Sequence, residues 1–399
     1  MTADGSHALI DAAALAAHYS RFGVAERLLL TGHSHQAWPD VSEAAHAQAW
    51  ADAAEHVDAK WQLAEAQAGA VRAGYQRLLG DDDRGVVTLG PNTHELLVRL
   101  LSALDWSHRP RIVTTDGEFH SARRQLARIR EAGVAVDALP AAPVDDLAAR
   151  LAAAVDHRTA AVVVSKVLFE SGRIVPDLDV VAAACRRHGV ALVVDAYHAV
   201  NVVDWVLADD DLADAFVLGG GYKYVQAGEG ACFLRWPAGC GLRPVVTGWY
   251  AEFGELEEAP VAGTAAYGPG PERFAGATYD PTSHYRAARV LRFFEEQELS
   301  PARLRAHNQR QVDRLRQGVR ALDLDPALLA VPDVPLAALG GFLALRSPRA
   351  GELRAALAER GVHTDHRGDA LRLGPAPYTT DEQLDAAVAA LADAATSLA

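Results

Sequence analysis

Two side chains in the stretch Ala191 to Arg235 are of types that together do one particular chemistry. An apolar run, Ala191 to Val194, ends on Asp195; a second, Ala215 to Leu218, leads through Gly219, Gly220 and Gly221 into Tyr222 and Lys223. Two strand ends therefore deliver one carboxylate and one amine. Ligands of open α/β sheets sit in the crevice beyond the carboxyl ends of the strands, so both residues are expected to face one pocket. A lysine amine holds an aldehyde as a Schiff base, and a carboxylate beside a ring nitrogen keeps that nitrogen protonated and electron-withdrawing. Pyridoxal 5'-phosphate needs this pair. The three glycines predict close approach of the backbone to a ligand, with unusual dihedrals.

The elements that must position the pair follow from apolar runs alternating with helical stretches. The pattern predicts strands at Val86 to Leu89, Arg111 to Thr115, Ala160 to Ser165 and Ala191 to Val194, with helices near Val144 to Val155 and over Asp177 to His188. Strands separated by helices of this length indicate right-handed crossovers and a mostly parallel sheet flanked by helices, an α/β architecture. Asn92, with Glu95 three residues on, has the spacing of a capping box, and the helix it opens offers free amides to a phosphate. Phe119 and His120 lie between a strand end and a helix, where an aromatic ring could stack on a cofactor. Residues 237–283, rich in Gly and Pro, read as long irregular structure. A helix from His284 to Glu298 leads into a smaller α+β domain with a strand at Gly341 to Arg346, a helix at Glu352 to Arg360, short strands within Val362 to Leu373 and a closing helix from Asp381. The expected division is an N-terminal segment over 1–40 packing with the small domain, a large cofactor-binding domain over 41–283 and the small domain over 284–399.

Two patterns in the loop TGHSHQAWPD point elsewhere and are weaker. Gly32, Ser34 and Gln36 approach a nucleophile elbow, but the final glycine is missing. His33 and His35 form an HxH pair without nearby carboxylates or cysteines at ligand spacing, so no metal is expected.

The 399 residues carry 52 acidic and 38 basic side chains, a formal charge of -14. That field repels a phosphate backbone, which excludes nucleic acid as an expected partner. No apolar stretch is long and charge-free enough to span a bilayer, and the N-terminus lacks the pattern of a secretory signal. Cys185, Cys232 and Cys240 suit reduced thiols rather than a disulfide frame. A cytoplasmic protein is expected.

DAYHAV followed by GYKY, then VTGWY, then GVHTDHRGDALRLGPAPYT resemble segments of kynureninase, within the class V aminotransferase group of fold type I pyridoxal phosphate enzymes. The resemblance runs from about Leu28 to the C-terminus. It implies Lys223 as the Schiff-base lysine, Asp195 as partner of the ring nitrogen and His198 as a neighbour of the cofactor. Tyr222 would contact the phosphate and act as acid or base, Asn92 and Thr93 would hold the phosphate, Phe119 would stack on the ring, and Ser171 would bring a hydroxyl near the cofactor. Trp249 and Asp280 would reach a phosphate across a homodimer interface. Arg372 would bind the substrate α-carboxylate, with Ser34 and His33 also on the substrate side. Gly221 stands where the family usually has serine, Asp280 replaces an asparagine, and GHSHQAWPD keeps only Gly32 and Ser34 of the family's GNSLG.

The resemblance implies hydrolytic cleavage of a Cβ to Cγ bond of an amino acid. Close alternatives are a carbon–sulfur lyase, an aminotransferase or an epimerase, and a remote one is a cofactor-free binding protein on the same scaffold. Persulfide-forming desulfurases need a thiolate late in the chain, and no cysteine follows Cys240.

Overall fold

The apolar runs become strands that stack side by side, and the computed structural model describes residues 9–81, 84–253 and 263–398 of the chain. The strands are β1 (Leu28–Leu29), β2 (Gly85–Gly90), β3 (Arg111–Thr115), β4 (Ala135–Leu139), β5 (Thr159–Ser165), β6 (Ala191–Asp195), β7 (Phe216–Gly220), β8 (Cys232–Pro237), β9 (Leu343–Arg346), β10 (Val362–His363), β11 (Asp365–Arg367) and β12 (Ala370–Leu373). The helices are α1 (Ala12–Ala16), α2 (Val41–His56), α3 (Lys60–Leu79), α4 (Thr93–Ser102), α5 (His120–Glu131), α6 (Leu147–Ala154), α7 (Leu178–His188), α8 (Thr282–Glu296), α9 (Pro301–Ala321), α10 (Ala350–Glu359) and α11 (Asp381–Leu398). Residues 1–8 of the N-terminal segment and 254–262 of the irregular stretch fall outside the described residues.

The large sheet has the order β2-β8-β7-β6-β5-β3-β4. Pairing is parallel from β7 through β4, while β8 runs antiparallel to both β7 and β2. The fold is thus the expected α/β class. β5 is buried along its whole length and β6 along its centre, as continuous Val-rich runs covered by helices on both faces require. β4 has no counterpart among the strands expected from the sequence. It is an edge strand with a single buried residue, Val136, so its apolar signal is faint.

β9, β12 and β11 form an antiparallel sheet with its own core, in which Leu343, Leu345, Leu371 and Leu373 pack with Val312, Leu353 and Leu391. The N-terminal segment divides between the two cores. β1 pairs with β10 and Leu30 joins the smaller core, whereas Ile10, Leu15, Tyr19 and Val24 lie in the larger. α8, expected to open the small domain, packs on α2 and α3 and gives Val290, Leu291, Phe293 and Phe294 to the larger core. The sequence shows its apolar face, with residues buried at intervals of three and four, but not that α2 and α3 cover it.

Candidate active site

β5, β6 and β7 end together, and the residues just beyond them meet. Ser165 closes β5 in register with Asp195, which closes β6, and Asp195 stands opposite Leu218 of β7. After β6 the chain makes one tight turn, in which Asp195 Oδ1 accepts a hydrogen bond from Tyr197 N at 2.9 Å. That turn brings His198 back over the sheet, where its Nε2 lies 2.7 Å from Lys223 Nζ. Thr93, Phe119, Ser165, Val167, Phe169, Asp195, Tyr197, His198, Tyr222 and Lys223 line one cavity.

Lys223 is 5% exposed. Burial lowers its amine to about 7, offset by the attraction of Asp195 and reinforced by Arg372. Burial likewise raises Asp195, although the Tyr197 amide and Lys223 pull it down again. Burial holds the imidazole of His198 well below its ordinary value and hence neutral, and its Nδ1 is buried without a partner. Asp195 and Lys223 attract each other yet make no ion pair within 4.0 Å, among the described residues. An acid and an amine facing across a cavity, unpaired, leave a place between them that a protonated ring would fill. The ring of Phe119 lies 5.5 Å from Lys223 Nζ, with Tyr197 at 4.7 Å and Tyr222 at 5.7 Å. The residues present fit a pyridoxal phosphate.

α4 opens at this cavity. Asn92 Oδ1 accepts from Glu95 N at 2.8 Å, the expected cap, which leaves Thr93 at the cavity wall and turns Asn92 outward. Tyr222 is raised by burial to about 12 and is a neutral phenol.

The glycines act differently from the expectation. None of Gly219, Gly220 and Gly221 has a positive φ. A Cβ on Gly219 would meet the Phe233 ring at 2.6 Å, and one on Gly220 the Tyr197 hydroxyl at 2.4 Å and Cys232 Sγ at 2.5 Å. They make room for neighbouring side chains of the protein rather than for a ligand. At Gly221 a Cβ would stand 3.0 Å from Ala227 Cβ, so the family's serine would crowd this turn.

The other expected site residues lie elsewhere. Ser171 is in the turn after β5, its Oγ accepting from Arg173 N, and Ser165 is the hydroxyl that faces the cavity. Trp249 is 45% exposed and donates from Nε1 to Thr278 Oγ1 at 3.1 Å. Asp280 lines a separate depression with Pro91 and Tyr279. Its Oδ1 accepts from the backbone and hydroxyl of Thr282 at the start of α8, which holds the carboxyl below its usual range. An ionised carboxylate so engaged is a poor phosphate ligand.

His33 and His35 point apart. His33 is fully buried, with Nε2 2.8 Å from Asp365 Oδ1, and burial lowers it to about 4. His35, exposed, stacks on Tyr222 with centroids 4.7 Å apart, and Ser34 Oγ lies 3.2 Å from His35 Nδ1. Among the described residues no cluster could hold a metal ion.

Arg372 is 3% exposed, and its planar fork is already occupied. Nε donates to Asp365 Oδ1 at 2.8 Å, Nη2 to Asp365 Oδ2, and Nη1 to the carbonyl of Phe169. Arg372 would therefore meet a substrate carboxylate with part of its fork already engaged. One edge is taken by Asp365, and two of the five N–H groups remain. Asp365, two residues before the end of a strand expected only in outline, was not singled out in the sequence; nor were Ser165 and Glu118. The available signal for Ser165 was its place at the carboxyl end of the strand beside Asp195.

The sequence profile of the aminotransferase class-V family matches residues 43–338. Among solved structures, a C-DES mutant with glycine covalently linked to its PLP cofactor shares 21% identity over 94% of this chain and 98% of its own, with a TM-score of 0.80. The cystine C-S lyase C-DES in complex with its reaction product cysteine persulfide gives 20% identity, 93% and 98% coverage and a TM-score of 0.80. The Escherichia coli cysteine desulfurase CsdA gives 18%, 98%, 99% and 0.75. At these identities the likeness is one of fold. Comparison with curated proteins finds no match.

Proposed function

The chain belongs to the aminotransferase class-V family, and from that premise we propose that it is a pyridoxal phosphate enzyme that cleaves an amino acid at its β-carbon, foremost at a carbon–sulfur bond. The observation that carries the reading is Lys223: buried, lowered to about 7 so that a large share of it is uncharged near neutrality, hydrogen-bonded to His198 and facing Asp195. When bound, pyridoxal phosphate supplies an aldehyde for amines and a ring that draws electrons from the α-carbon. Asp195 holds a proton at the ring nitrogen, Phe119 packs on the ring, and Thr93 with the amides opening α4 holds the phosphate. Lys223, neutral at Nζ, takes the α-proton, and His198 fixes the direction of that amine. Tyr222, a phenol at neutral pH, would give and recover a proton from its hydroxyl at the cavity wall.

The cleavage of a carbon–sulfur bond is favoured over sulfur transfer to the protein by the thiols. Cys232 is the cysteine beside the cavity; it is 2% exposed, its Sγ lies 3.6 Å from the Tyr197 hydroxyl, and burial raises it to about 11. A thiol so buried and protonated is a poor sulfur acceptor. The lyase reading accords with C-DES, described as a cystine C-S lyase. A second reading, hydrolysis of a Cβ to Cγ bond, is favoured by the segment from Gly361 to Thr379 and its likeness to kynureninase.

Products separate the two. Cystine is expected to give pyruvate, ammonia and cysteine persulfide, and a cysteine thioether pyruvate, ammonia and the corresponding thiol. Alanine and an aromatic acid released from kynurenine would instead favour hydrolysis, keto-acid exchange would favour transamination, and a holoprotein inert on all of them would defeat the lyase reading. A homodimer and a cytoplasmic location belong to this proposal. Trp249 and Phe253, 45% and 50% exposed, form with Tyr250 an aromatic patch, an apolar surface suited to a second copy of the chain. No helix among the described residues is long and apolar enough to cross a membrane.

Arg372 is expected to serve substrate through the N–H groups that Asp365 and Phe169 leave free. Arg372→Ala should raise KM for the amino acid by about 10- to 100-fold, the worth of hydrogen bonds to a charged group, while the cofactor stays bound. The single change also takes from Asp365 its bidentate cation and leaves it His33, so the double variant with Asp365→Ala should regain part of the lost thermal stability without regaining affinity. Unchanged substrate affinity in both would remove Arg372 from the binding site.

A further inference from the structure

Glu118 lies where the ends of β3, β5 and β6 converge and has no part in the chemistry above. It is 2% exposed. Its Oε1 accepts from Thr115 Oγ1 at 2.7 Å and from Ser165 N at 3.2 Å, and its Oε2 is 2.6 Å from Ser165 Oγ. Among the described residues no cation pairs with it, and the charged group that bears on it is Asp195, of the same sign. Two carboxylates in one buried region do not both stay ionised cheaply. Asp195 has the Tyr197 amide and the protonated fraction of Lys223 to favour its charge, so Glu118 is the one that takes a proton, and burial raises it to about 7. Oε1 already serves two donors, which directs that proton to Oε2, facing Ser165.

We propose that Glu118 is a positioning residue that aims the Ser165 hydroxyl. Ionised, Glu118 accepts the Ser165 hydroxyl hydrogen. Protonated, it donates from Oε2 to Ser165 Oγ, and the serine hydrogen turns into the cavity beside Asp195. The proton on Glu118 thus adds or removes a donor where the ring of the cofactor is held, a consequence that rests on the pyridoxal phosphate reading.

The test compares the holoprotein of wild type, Glu118→Gln and Ser165→Ala across neutrality, by infrared and visible absorption. The wild type should show the carbonyl band of a buried carboxylic acid that fades as pH rises through about 7. That band should be absent from Glu118→Gln and should persist to higher pH in Ser165→Ala, which has lost a donor to the ionised form. The visible band of the bound cofactor should shift over the same pH interval in wild type. The shift should be lost in Glu118→Gln, whose amide donates to Ser165 permanently, and in Ser165→Ala, which has no hydroxyl to turn. A wild type without the carboxylic acid band, or a shift that survives in Ser165→Ala, overturns the proposal, and the serine variant decides the matter if Glu118→Gln does not fold. A wild type that takes up no cofactor defeats the functional reading instead, while the infrared bands of the cofactor-free protein still decide the state of Glu118 and its link to Ser165.

Discussion

Lys223→Ala is expected to bind pyridoxal phosphate without the visible band that the wild type shows and to lose turnover by about 10²- to 10⁴-fold, the worth of a positioned general base. The amine is the nucleophile at this cavity that loses its charge near neutral pH, because burial lowers it to about 7 while His198 holds it by a 2.7 Å hydrogen bond. The sign of the pH dependence follows from that. A lysine whose value is depressed is neutral above about pH 7 and protonated below, so the wild-type rate should fall as pH drops through that region, and the alanine variant should have no such limb. Folding gives a second view of the same group. Between about 7 and the ordinary lysine value the unfolded chain binds a proton that the folded one does not, so this residue's penalty on stability eases as pH rises through that window. An alanine variant that keeps the visible band and wild-type turnover would remove Lys223 from the mechanism, and with it the family chemistry.

Asp195→Asn is expected to retain cofactor and visible band, since Lys223 is untouched, yet to lose about 10²- to 10³-fold in turnover, the usual cost of deleting one preorganised charge at a reacting centre. Asparagine is the informative replacement because its side-chain oxygen can still accept from Tyr197 N, as Asp195 Oδ1 does at 2.9 Å, and so keeps the turn that carries His198. A structural role alone would therefore leave the asparagine variant near wild type. Turnover within a factor of about two of wild type would show that the ring nitrogen needs no carboxylate here.

Much of this arrangement is legible in the order of residues because it depends on local rules. An apolar run that stops at an acid is a buried strand with its carboxyl end at solvent or ligand, and Asn92 with Glu95 is a helix start that closes its own hydrogen bond. The edge strand β4 escaped because a strand exposed on one side and covered by little on the other carries few apolar residues. That α8 packs on the larger core was not legible, because a helix records that it has an apolar face but not which neighbour covers it.

The contacts across long separations were beyond any local rule. The glycines before Tyr222 are small because Phe233, Tyr197 and Cys232, brought by other strands, fill the space a side chain would need. His33 and His35, two residues apart, part company because one is drawn to Asp365 and the other stacks on Tyr222.

By itself the sequence determined the parallel sheet, the capped start of α4 and the presence of an acid and an amine at strand ends, since each follows from spacing within a few residues. The tertiary structure alone decided that Asp365 occupies the fork of Arg372, that Glu118 sits uncompensated against Ser165 near Asp195, and that burial brings Lys223 down to about 7. Charge states in a protein interior depend on the groups that folding gathers around them, and no run of neighbouring residues encodes that gathering.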